Sequence, residues 1–343
     1  MGEKRKVAVA MSGGVDSSLS ALLLKKEGYE VLGVSFLLFD GQEKALWHAK
    51  GIAENLEIPH TIIDLRETFK KEIIVAFLQG YSQGKTPNPC ALCNRIIKFG
   101  IVAEYVKRDF GAEFYATGHY VRKGEYKGYL LFRVSKNLAK DQSYFLALVK
   151  GEVIEHLLFP VGEFESKEEV KKLAEKNGLK GFQKSESQDV CFFMGKTLKE
   201  FLKEHLGEKE GEIIYQGKVV GRHRGIHFYT IGQRKGLNLP LGKPVYVIKL
   251  EAETNRVYLG EEKELEKKEF YLEDINFQLP FAFWERPLAQ IRYRTEKIQV
   301  KDIVREGEAW KVILERSAKR ITPGQVCAFY ESDFLLGGGI IKD

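Results

Sequence analysis

Apolar and polar positions follow two different rhythms along this chain. Up to about residue 120, short apolar runs alternate with longer stretches of helical spacing. Lys6–Ala10, Glu30–Phe39, His60–Asp64 and Glu113–Thr117 read as strands. Ser17–Glu27, Glu43–Leu56, Glu67–Gln79 and Asn94–Arg108 read as helices, the first with Leu19, Leu22 and Leu23 on one side and Gly28 as its stop. This alternation predicts a parallel sheet with helices on both faces, and ligands at the carboxyl ends of its strands. After Tyr120 the pattern changes. Tyr126–Val134 reads as a hairpin arm, and Gln142–Leu148 and Lys167–Asn177 as short helices. From about Gly207 the period is mostly two, punctuated by Gly211, Gly217, Gly221, Gly242 and Gly260. Leu288–Tyr293, Trp310–Leu314, Gln325–Tyr330 and Leu335–Ile341 continue as short β-runs, which predicts small β domains, the last a barrel. The expected fold class is α/β, with an N-terminal parallel-sheet domain over 1–206, a small central β-rich domain over 207–267 and a C-terminal β-barrel over 268–343.

Composition sharpens this only a little. The chain has 343 residues, too many for one ordinary core, and its 44% hydrophobic and 30% charged content describes a globular protein. No apolar run approaches the roughly 20 residues of a membrane span. Met1–Lys6 leads straight into the first strand with no room for a signal peptide, so a cytoplasmic protein without a membrane partner is expected. The formal net charge of +6 is compatible with a polyanionic partner. The four cysteines of a chain in a reducing compartment are not expected to form structural disulfides.

The first chemistry lies in Val7–Ala21, VAVAMSGGVDSSLSA. A strand ends in the turn Ser12-Gly13-Gly14, and a helix begins near Asp16 or Ser17. The helix N-terminus then faces whatever lies beyond the sheet, where backbone N–H groups and the helix dipole favour phosphate. The glycines allow close approach, and Ser12, Ser17 and Ser18 add hydroxyls. The lysine of a Walker A loop and the G-x-G-x-x-G fingerprint are both absent. The alternative is an ordinary strand-to-helix turn. The string S-G-G-V-D-S resembles the pyrophosphate loop of the N-type ATP pyrophosphatases, which cleave ATP between its α and β phosphates and adenylate a substrate. That resemblance implies a pyrophosphate grip, with Asp16 helping to hold Mg²⁺.

The second lies in Gly84–Arg95, GKTPNPCALCNR. Two prolines force an extended entry, and a helix begins near Cys90, so Cys90 and Cys93 share its first turn. The dipole there is expected to lower a thiol pKa. The spacing permits a redox pair, half a metal site, or one nucleophile with a helper. No second C-x-x-C or H-x-x-x-H completes a closed zinc site. Cys191, in Ser187–Phe193 (SQDVCFF), and Cys327 read on their own as core cysteines.

In order along the chain, S-G-G-V-D-S-S, T-P-N-P-x-x-x-C-N, A-T-G-H-Y, K-D-Q-S-Y-F-L, S-Q-D-V-C-F, T-I-G-Q-R-K-G-L, R-Y-R and P-G-Q resemble the motifs of the bacterial tRNA-specific 2-thiouridylases, the MnmA family. The resemblance spans essentially the whole chain. It implies an adenine nucleotide α-hydrolase-like ATP-pyrophosphatase domain, a small central domain and a C-terminal barrel. It also implies an enzyme that uses ATP with Mg²⁺ to adenylate C2 of the wobble uridine (U34) and replace its oxygen with sulfur, giving 2-thiouridine, AMP and pyrophosphate.

Residue by residue, the resemblance implies Cys191 as persulfide carrier and Cys93 as the second, nucleophilic cysteine, with a Cys93–Cys191 disulfide left behind. Many members have Asp, proposed as general acid/base, where this chain has Cys90. Cys90 is therefore a helper, or else Cys90, Cys93 and Cys191 ligate a [4Fe–4S] cluster, with one iron open to sulfide. The ATP site would comprise Ala10, Met11, Ser12, Gly13, Gly14, Val15, Asp16, Ser17, Phe36 and Gly118. Asn88, Pro89 and Cys90 would meet the target base, which must leave the anticodon stack. His119, Lys140, Asp141, Gln142, Arg292, Tyr293 and Gln325 match tRNA contacts. The implied partners are the anticodon regions of Lys, Glu and Gln tRNAs and a persulfide donor such as a cysteine desulfurase or a sulfur-relay protein. The segment Gln188–Phe193 is expected to move to bring Cys191 to Cys93. Arg222–Lys235 mixes cations with aromatics, as RNA-binding surfaces do. Two other readings remain: a different adenylating synthetase on the same fold, which would not need paired cysteines, and a non-catalytic RNA-binding module, which would not need Ser12–Ser17.

Overall fold

The computed structural model of the chain describes residues 4–179, 190–237 and 239–342. Its first sheet is parallel throughout, in the order His60–Asp64, Glu30–Leu37, Lys6–Ala10, Phe114–Ala116, Leu157–Leu158. The chain builds outward from Lys6–Ala10 to one side and then restarts on the other, next to that strand. The order therefore reverses between Lys6–Ala10 and Phe114–Ala116, where parallel sheets open a crevice at their carboxyl ends. Strand residues Val7, Ala8 and Val9 are fully buried, as helices on both faces require.

The helices follow the predicted apolar spacing, with longer extents at two places. The run 66–82 is continuous and includes a π-helical turn, Lys70–Ile74. The run 89–110 starts at Pro89, four residues after Lys85 and five before the expected Asn94, with π-helical Asn94–Val102 in its middle. The early start has a local cause. Asn88 Oδ1 accepts the Ala91 N–H at 3.1 Å as N-cap, and Pro89 at the first position has no N–H to leave unpaired.

A four-stranded sheet, ordered Tyr246–Glu251, Arg256–Gly260, Gly211–Tyr215, Lys218–His223, forms the central unit over its own small core, which includes Ile213, Val247 and Val257. The C-terminal unit is a closed barrel. Glu266–Phe277, Ala309–Lys319, Ile298–Glu306, Leu288–Gln290, Val326–Glu331 and Phe334–Ile341 pair in sequence, and Phe334–Ile341 closes on Glu266–Phe277. Cys327 is fully buried among its core side chains, as the sequence suggests. The hairpin of Val121–Tyr126 and Tyr129–Val134 leaves the first domain and extends the barrel sheet through Arg133 and Phe334.

The barrel also clamps the extended segment before Cys90. Thr86 N–H donates to the Pro323 carbonyl at 2.7 Å, and Gln325 Nε2 donates to the Thr86 carbonyl at 2.7 Å. Tyr144 Oη donates to the Val326 carbonyl at 2.7 Å, and Lys85 pairs with Glu273 at 3.3 Å. Thr86 and Gln325 are both buried. Removing the Gln325 amide leaves a buried carbonyl unpaired, which costs about 1–3 kcal/mol. Gln325→Leu is therefore expected to lower the denaturant midpoint by a corresponding amount, and an unchanged midpoint would contradict the clamp.

Candidate functional site

The loop after the first strand forms an amide cradle. Gly13 has φ +77°, and a Cβ there would sit 2.8 Å from the Ala45 carbonyl. Glycine is thus required both by conformation and by the close approach of the helix Glu43–Asn55. Gly14 is the N-cap of the helix Val15–Lys26 and has no side chain to cover its end. The hydroxyls turn inward to stiffen the turn. Ser17 and Ser18 donate to the Gly14 carbonyl at 3.1 and 2.8 Å, and Ser12 N–H donates to Ser17 Oγ at 3.2 Å. Among the described residues, no protein acceptor takes up the backbone amides of Gly13 through Ser17. A polyphosphate is the chemistry that these donors and the helix N-terminus fit. Ala10 and Met11 lead into the loop. Met11 N–H donates to the Val34 carbonyl at 2.8 Å, and buried Ser35 donates to the Met11 carbonyl at 2.6 Å. Phe36 lies half-buried on the neighbouring strand, packed against the main core.

The turn after Phe114–Ala116 closes on this cradle. A Cβ on Gly118 would lie 2.7 Å from Ser17 N and 2.8 Å from the Asp16 carbonyl carbon. Tyr120 Oη donates to Asp16 Oδ1 at 2.8 Å, and Lys167 Nζ meets Asp16 Oδ2 at 3.0 Å. Both Asp16 oxygens are thus engaged by protein donors, so a Mg²⁺ ion at this carboxylate would compete with the Lys167 cation. Neither Tyr120 nor Lys167 is part of the sequence-based site.

On its other side the same turn reaches the sulfur region. His119 Nδ1 lies 2.8 Å from Thr117 Oγ1, and its ring packs against Phe99 at 5.5 Å between centroids. Burial holds this histidine well below its ordinary pKa, with the Lys98 cation adding to the effect, so it is neutral at pH 7. Lys98 lies on the helical run that carries the thiols, and its charge acts on Cys90, Cys93 and Cys191 alike. It too escaped the sequence reading.

Cys93 is buried, while Cys90 and Cys191 are exposed to solvent. The expected lowering of the thiol pKa by the helix N-terminus is overturned. Desolvation pushes Cys93 up to about 12 and Cys191 up to about 11, and raises Cys90 as well, with Lys98 only partly offsetting it. Exclusion of water from a thiolate outweighs one turn of helix dipole. Cys191 opens a short turn, Cys191–Phe193, whose two phenylalanines are buried. Phe192 packs on Phe69 and Phe77 at 5.8 and 5.4 Å, and Phe193 on Phe201 at 5.1 Å. Of the segment expected to move, Gln188 and Asp189 lie outside the described residues, and the part from Val190 onward is anchored by these rings. Among the described residues, no three His, Cys, Asp or Glu side chains are arranged to hold a metal ion. In this arrangement the three cysteines do not fit an iron–sulfur cluster, and no step below uses one.

The residues expected to meet RNA surround the clamped segment. Asn88 caps the thiol helix, with Pro89 and Cys90 following it. Tyr293 Oη donates to the Asp141 carbonyl at 3.2 Å, and its ring lies 4.5 Å from that of Phe145. Asp141 accepts from Ser135 N–H at 2.9 Å and Ser143 Oγ at 2.6 Å, and Gln142 Oε1 accepts from Tyr120 N–H at 2.9 Å. Gln325 holds Thr86, Lys140 ends a short helical turn, and Arg292 is exposed. In Arg222–Lys235 the mixture separates. His223 and His227 are buried, against the carbonyls of Asn255 and Gly207, while Arg222 and Arg224 are exposed.

Family models match nearly the whole chain: a tRNA methyl transferase HUP domain over residues 5–195, a PRC-barrel domain over 199–261 and an aminomethyltransferase β-barrel domain over 267–341. The tRNA-specific 2-thiouridylase MnmA of Aquifex aeolicus is 45% identical over 354 residues, covering 98% of this chain and 99% of the relative. That of Persephonella marina is 41% identical over 352 residues, with 98% and 99% covered. The solved structure of the U34-tRNA thiolase NcsA from Methanococcus maripaludis with its [4Fe–4S] cluster matches at a TM-score of 0.39 and 20% identity. It covers 60% of this chain and 69% of that one, too distant a likeness to transfer its cluster. The chain belongs to the tRNA-specific 2-thiouridylase family. No helix among its described residues is long and apolar enough to cross a membrane.

Two measurements test this geometry. Alkylation of Cys191 by iodoacetamide in the free enzyme should keep rising about tenfold per pH unit through about pH 9, because the thiol titrates near 11. A plateau by about pH 8 would contradict its desolvation. Gly118→Ala should weaken ATP binding by roughly fivefold or more, the cost of overpacking a tight contact, with the far-ultraviolet circular dichroism unchanged. Equal affinity by equilibrium dialysis would remove Gly118 from the cradle.

Proposed function

We propose that this enzyme thiolates tRNA by adenylating C2 of the wobble uridine (U34) and replacing its oxygen with sulfur drawn from a cysteine persulfide. One observation carries the reading. The turn Gly118–Tyr120 touches the amide cradle through Gly118 and Tyr120, and reaches the thiol region through His119. The anion-binding loop at the switch point of a parallel sheet is thereby joined, through one short turn, to Phe99 on the helical run that carries Cys90 and Cys93.

The chemistry follows from the leaving groups. The C2 oxygen of uridine leaves poorly, and transfer of AMP from ATP makes it part of a good leaving group. The amides of Gly13–Ser17 grip the pyrophosphate portion of ATP and stabilise it as it departs, with Ala10, Met11, Val15, Phe36 and Gly118 lining the nucleotide. Asp16, held by Tyr120 and Lys167, orients the phosphate environment. When bound with ATP, Mg²⁺ adds charge neutralisation beside this carboxylate.

Cys191 carries the persulfide. Its outer sulfur attacks C2 directly, or a thiol of the helix Pro89–Cys93 displaces it as hydrosulfide, and Cys93 is the thiol that the family motif singles out. Asn88, Pro89 and Cys90 meet the flipped base. His119, Lys140, Asp141, Gln142, Arg292, Tyr293 and Gln325 support the anticodon region of Lys, Glu and Gln tRNAs. A cysteine desulfurase or a sulfur-relay protein loads Cys191. The raised thiol pKa values keep the resting sulfur protonated and inert, and Lys98 is the cation available to a forming thiolate. Cys90 stands where many relatives carry the proposed acid/base aspartate, so that role does not fall to a carboxylate here.

Incubation of the enzyme with ATP, unmodified tRNA and a cysteine desulfurase with cysteine should yield 2-thiouridine, with AMP and pyrophosphate in equal amounts. Mass spectrometry of the digested nucleosides reads the product. Modification without AMP, or AMP formation without any 2-thiouridine, would refute the coupled reaction.

A further inference from the structure

The sulfur transfer above uses two thiols, yet the chain places a third, Cys90, one turn before Cys93 on the same helix. Cys90 and Cys93 form a C-x-x-C at the start of the helix Pro89–Cys93. Residues three apart on a helix face the same side. The first turn is held at its start by Asn88 alone, whose side-chain oxygen takes the Ala91 N–H at 3.1 Å and whose carbonyl takes the Leu92 N–H at 3.4 Å, so a small local change brings the pair to the short spacing of a disulfide. The pair is asymmetric: Cys90 is exposed, and Cys93 retains 8% of its surface. Cys191 is exposed like Cys90, and its neighbours Phe192 and Phe193 are fixed in the aromatic cluster of Phe69, Phe77 and Phe201. Cys93 belongs to the same core cluster as Phe192 and Phe193, the two residues that follow Cys191, and Cys90 lies close enough to act electrostatically on both Cys93 and Cys191. An exposed thiol preceding a buried one by three residues at a helix N-terminus is the arrangement of a dithiol that attacks with the first sulfur and resolves with the second.

Resting on the sulfur-transfer reading, we propose that Cys90 makes the first exchange with the Cys191 persulfide and that Cys93 resolves the product, so that the cycle ends with a Cys90–Cys93 disulfide and a free Cys191 thiol. In the first step the Cys90 sulfur, having lost its proton to solvent, attacks Sγ of Cys191. The persulfide S–S bond breaks, and hydrosulfide leaves with its electron pair to displace AMP at C2. The sulfane sulfur is reduced by two electrons, and the thiols of Cys90 and Cys191 are oxidised to a disulfide. In the second step Cys93 attacks Cys90, a Cys90–Cys93 bond forms, and Cys191 leaves as thiolate and takes up the proton that Cys93 gave up. The carrier is thereby restored, and the remaining disulfide is reduced by an external dithiol. Cys93, buried behind Cys90, changes from first attacker to resolving thiol.

The test uses the full-length enzyme, loaded with persulfide by brief sodium polysulfide treatment and desalted. One turnover with ATP and tRNA is quenched in acid, free thiols are alkylated, and the disulfides are mapped by peptide mass spectrometry. Wild type should show Cys90–Cys93 joined and Cys191 alkylated. Cys93→Ser should complete one turnover and stop at Cys90–Cys191. Cys90→Ser should slow the single turnover at least about tenfold, the loss expected when the attacking nucleophile of a thiol exchange is removed. A wild-type end state with Cys93–Cys191 joined and Cys90 alkylated overturns the relay while leaving thiolation intact. Absence of 2-thiouridine in the loaded wild type counts against thiolation instead. In that event the disulfide left after hydrosulfide release by the loaded enzyme alone still decides the relay: Cys90–Cys93 supports it, and Cys93–Cys191 overturns it.

Discussion

The position of the thiols depends on a hydrogen-bonded clamp between distant parts of the chain. The approach to Cys90 contains two prolines, which cannot donate, so this extended segment cannot secure itself by pairing with its neighbours. Its one fully committed peptide, at Thr86, is satisfied by Pro323 and Gln325 of the barrel. The helix that follows is held by its buried face, with Ala91, Cys93 and Ile97 in the main core, and the junction fixes the extended chain that leads into it. A barrel that bonds to the segment, and shares a sheet with the hairpin at 121–134, fixes it. The β domain thus helps to position the segment that carries Cys90 and Cys93.

A second balance decides the resting chemistry. Helix position favours thiolates, and burial opposes them. Desolvation by the surrounding protein prevails at buried Cys93 and also at Cys191, which keeps an exposed edge, despite the Lys98 charge near both. A protonated thiol reacts slowly with stray electrophiles, so the free protein holds its cysteines in their less reactive form.

Much of this was legible in the sequence, for identifiable reasons. Periodicity located the parallel strands because fully buried strands must be apolar throughout, and Lys6–Ala10 and His60–Asp64 were placed to the residue. The anion loop was legible because its glycines are demanded by local sterics. Tertiary relations were not. The start of the thiol helix was legible from its prolines, which place it near Cys90, whereas apolar spacing alone starts it at Asn94; the Asn88 cap and Pro89 decide for the earlier position. The raised thiol pKa values escaped because burial is a property of the packed fold. Lys98 and Lys167 escaped because a polar residue on a helix is ordinarily solvated, and Tyr120 because it lies in a turn; only the fold turns them toward Asp16 and the thiols.

The same distinction governs how RNA can be met. Several residues matching RNA contacts already spend their side chains on the protein. Gln325 holds Thr86, Asp141 holds Ser135 and Ser143, and Gln142 holds the Tyr120 amide. Tyr293 reaches from the barrel to the Asp141 carbonyl, and Arg294 reaches Ala139 at 3.2 Å. These bonds tie the barrel, the 138–142 turn and the Tyr120 turn into one network beside the cradle. Tyr120 in turn holds Asp16. The barrel residue Tyr293 is thereby linked to Asp16 through Asp141, Gln142 and Tyr120, so the turn that holds the Asp16 carboxylate is braced from the barrel side.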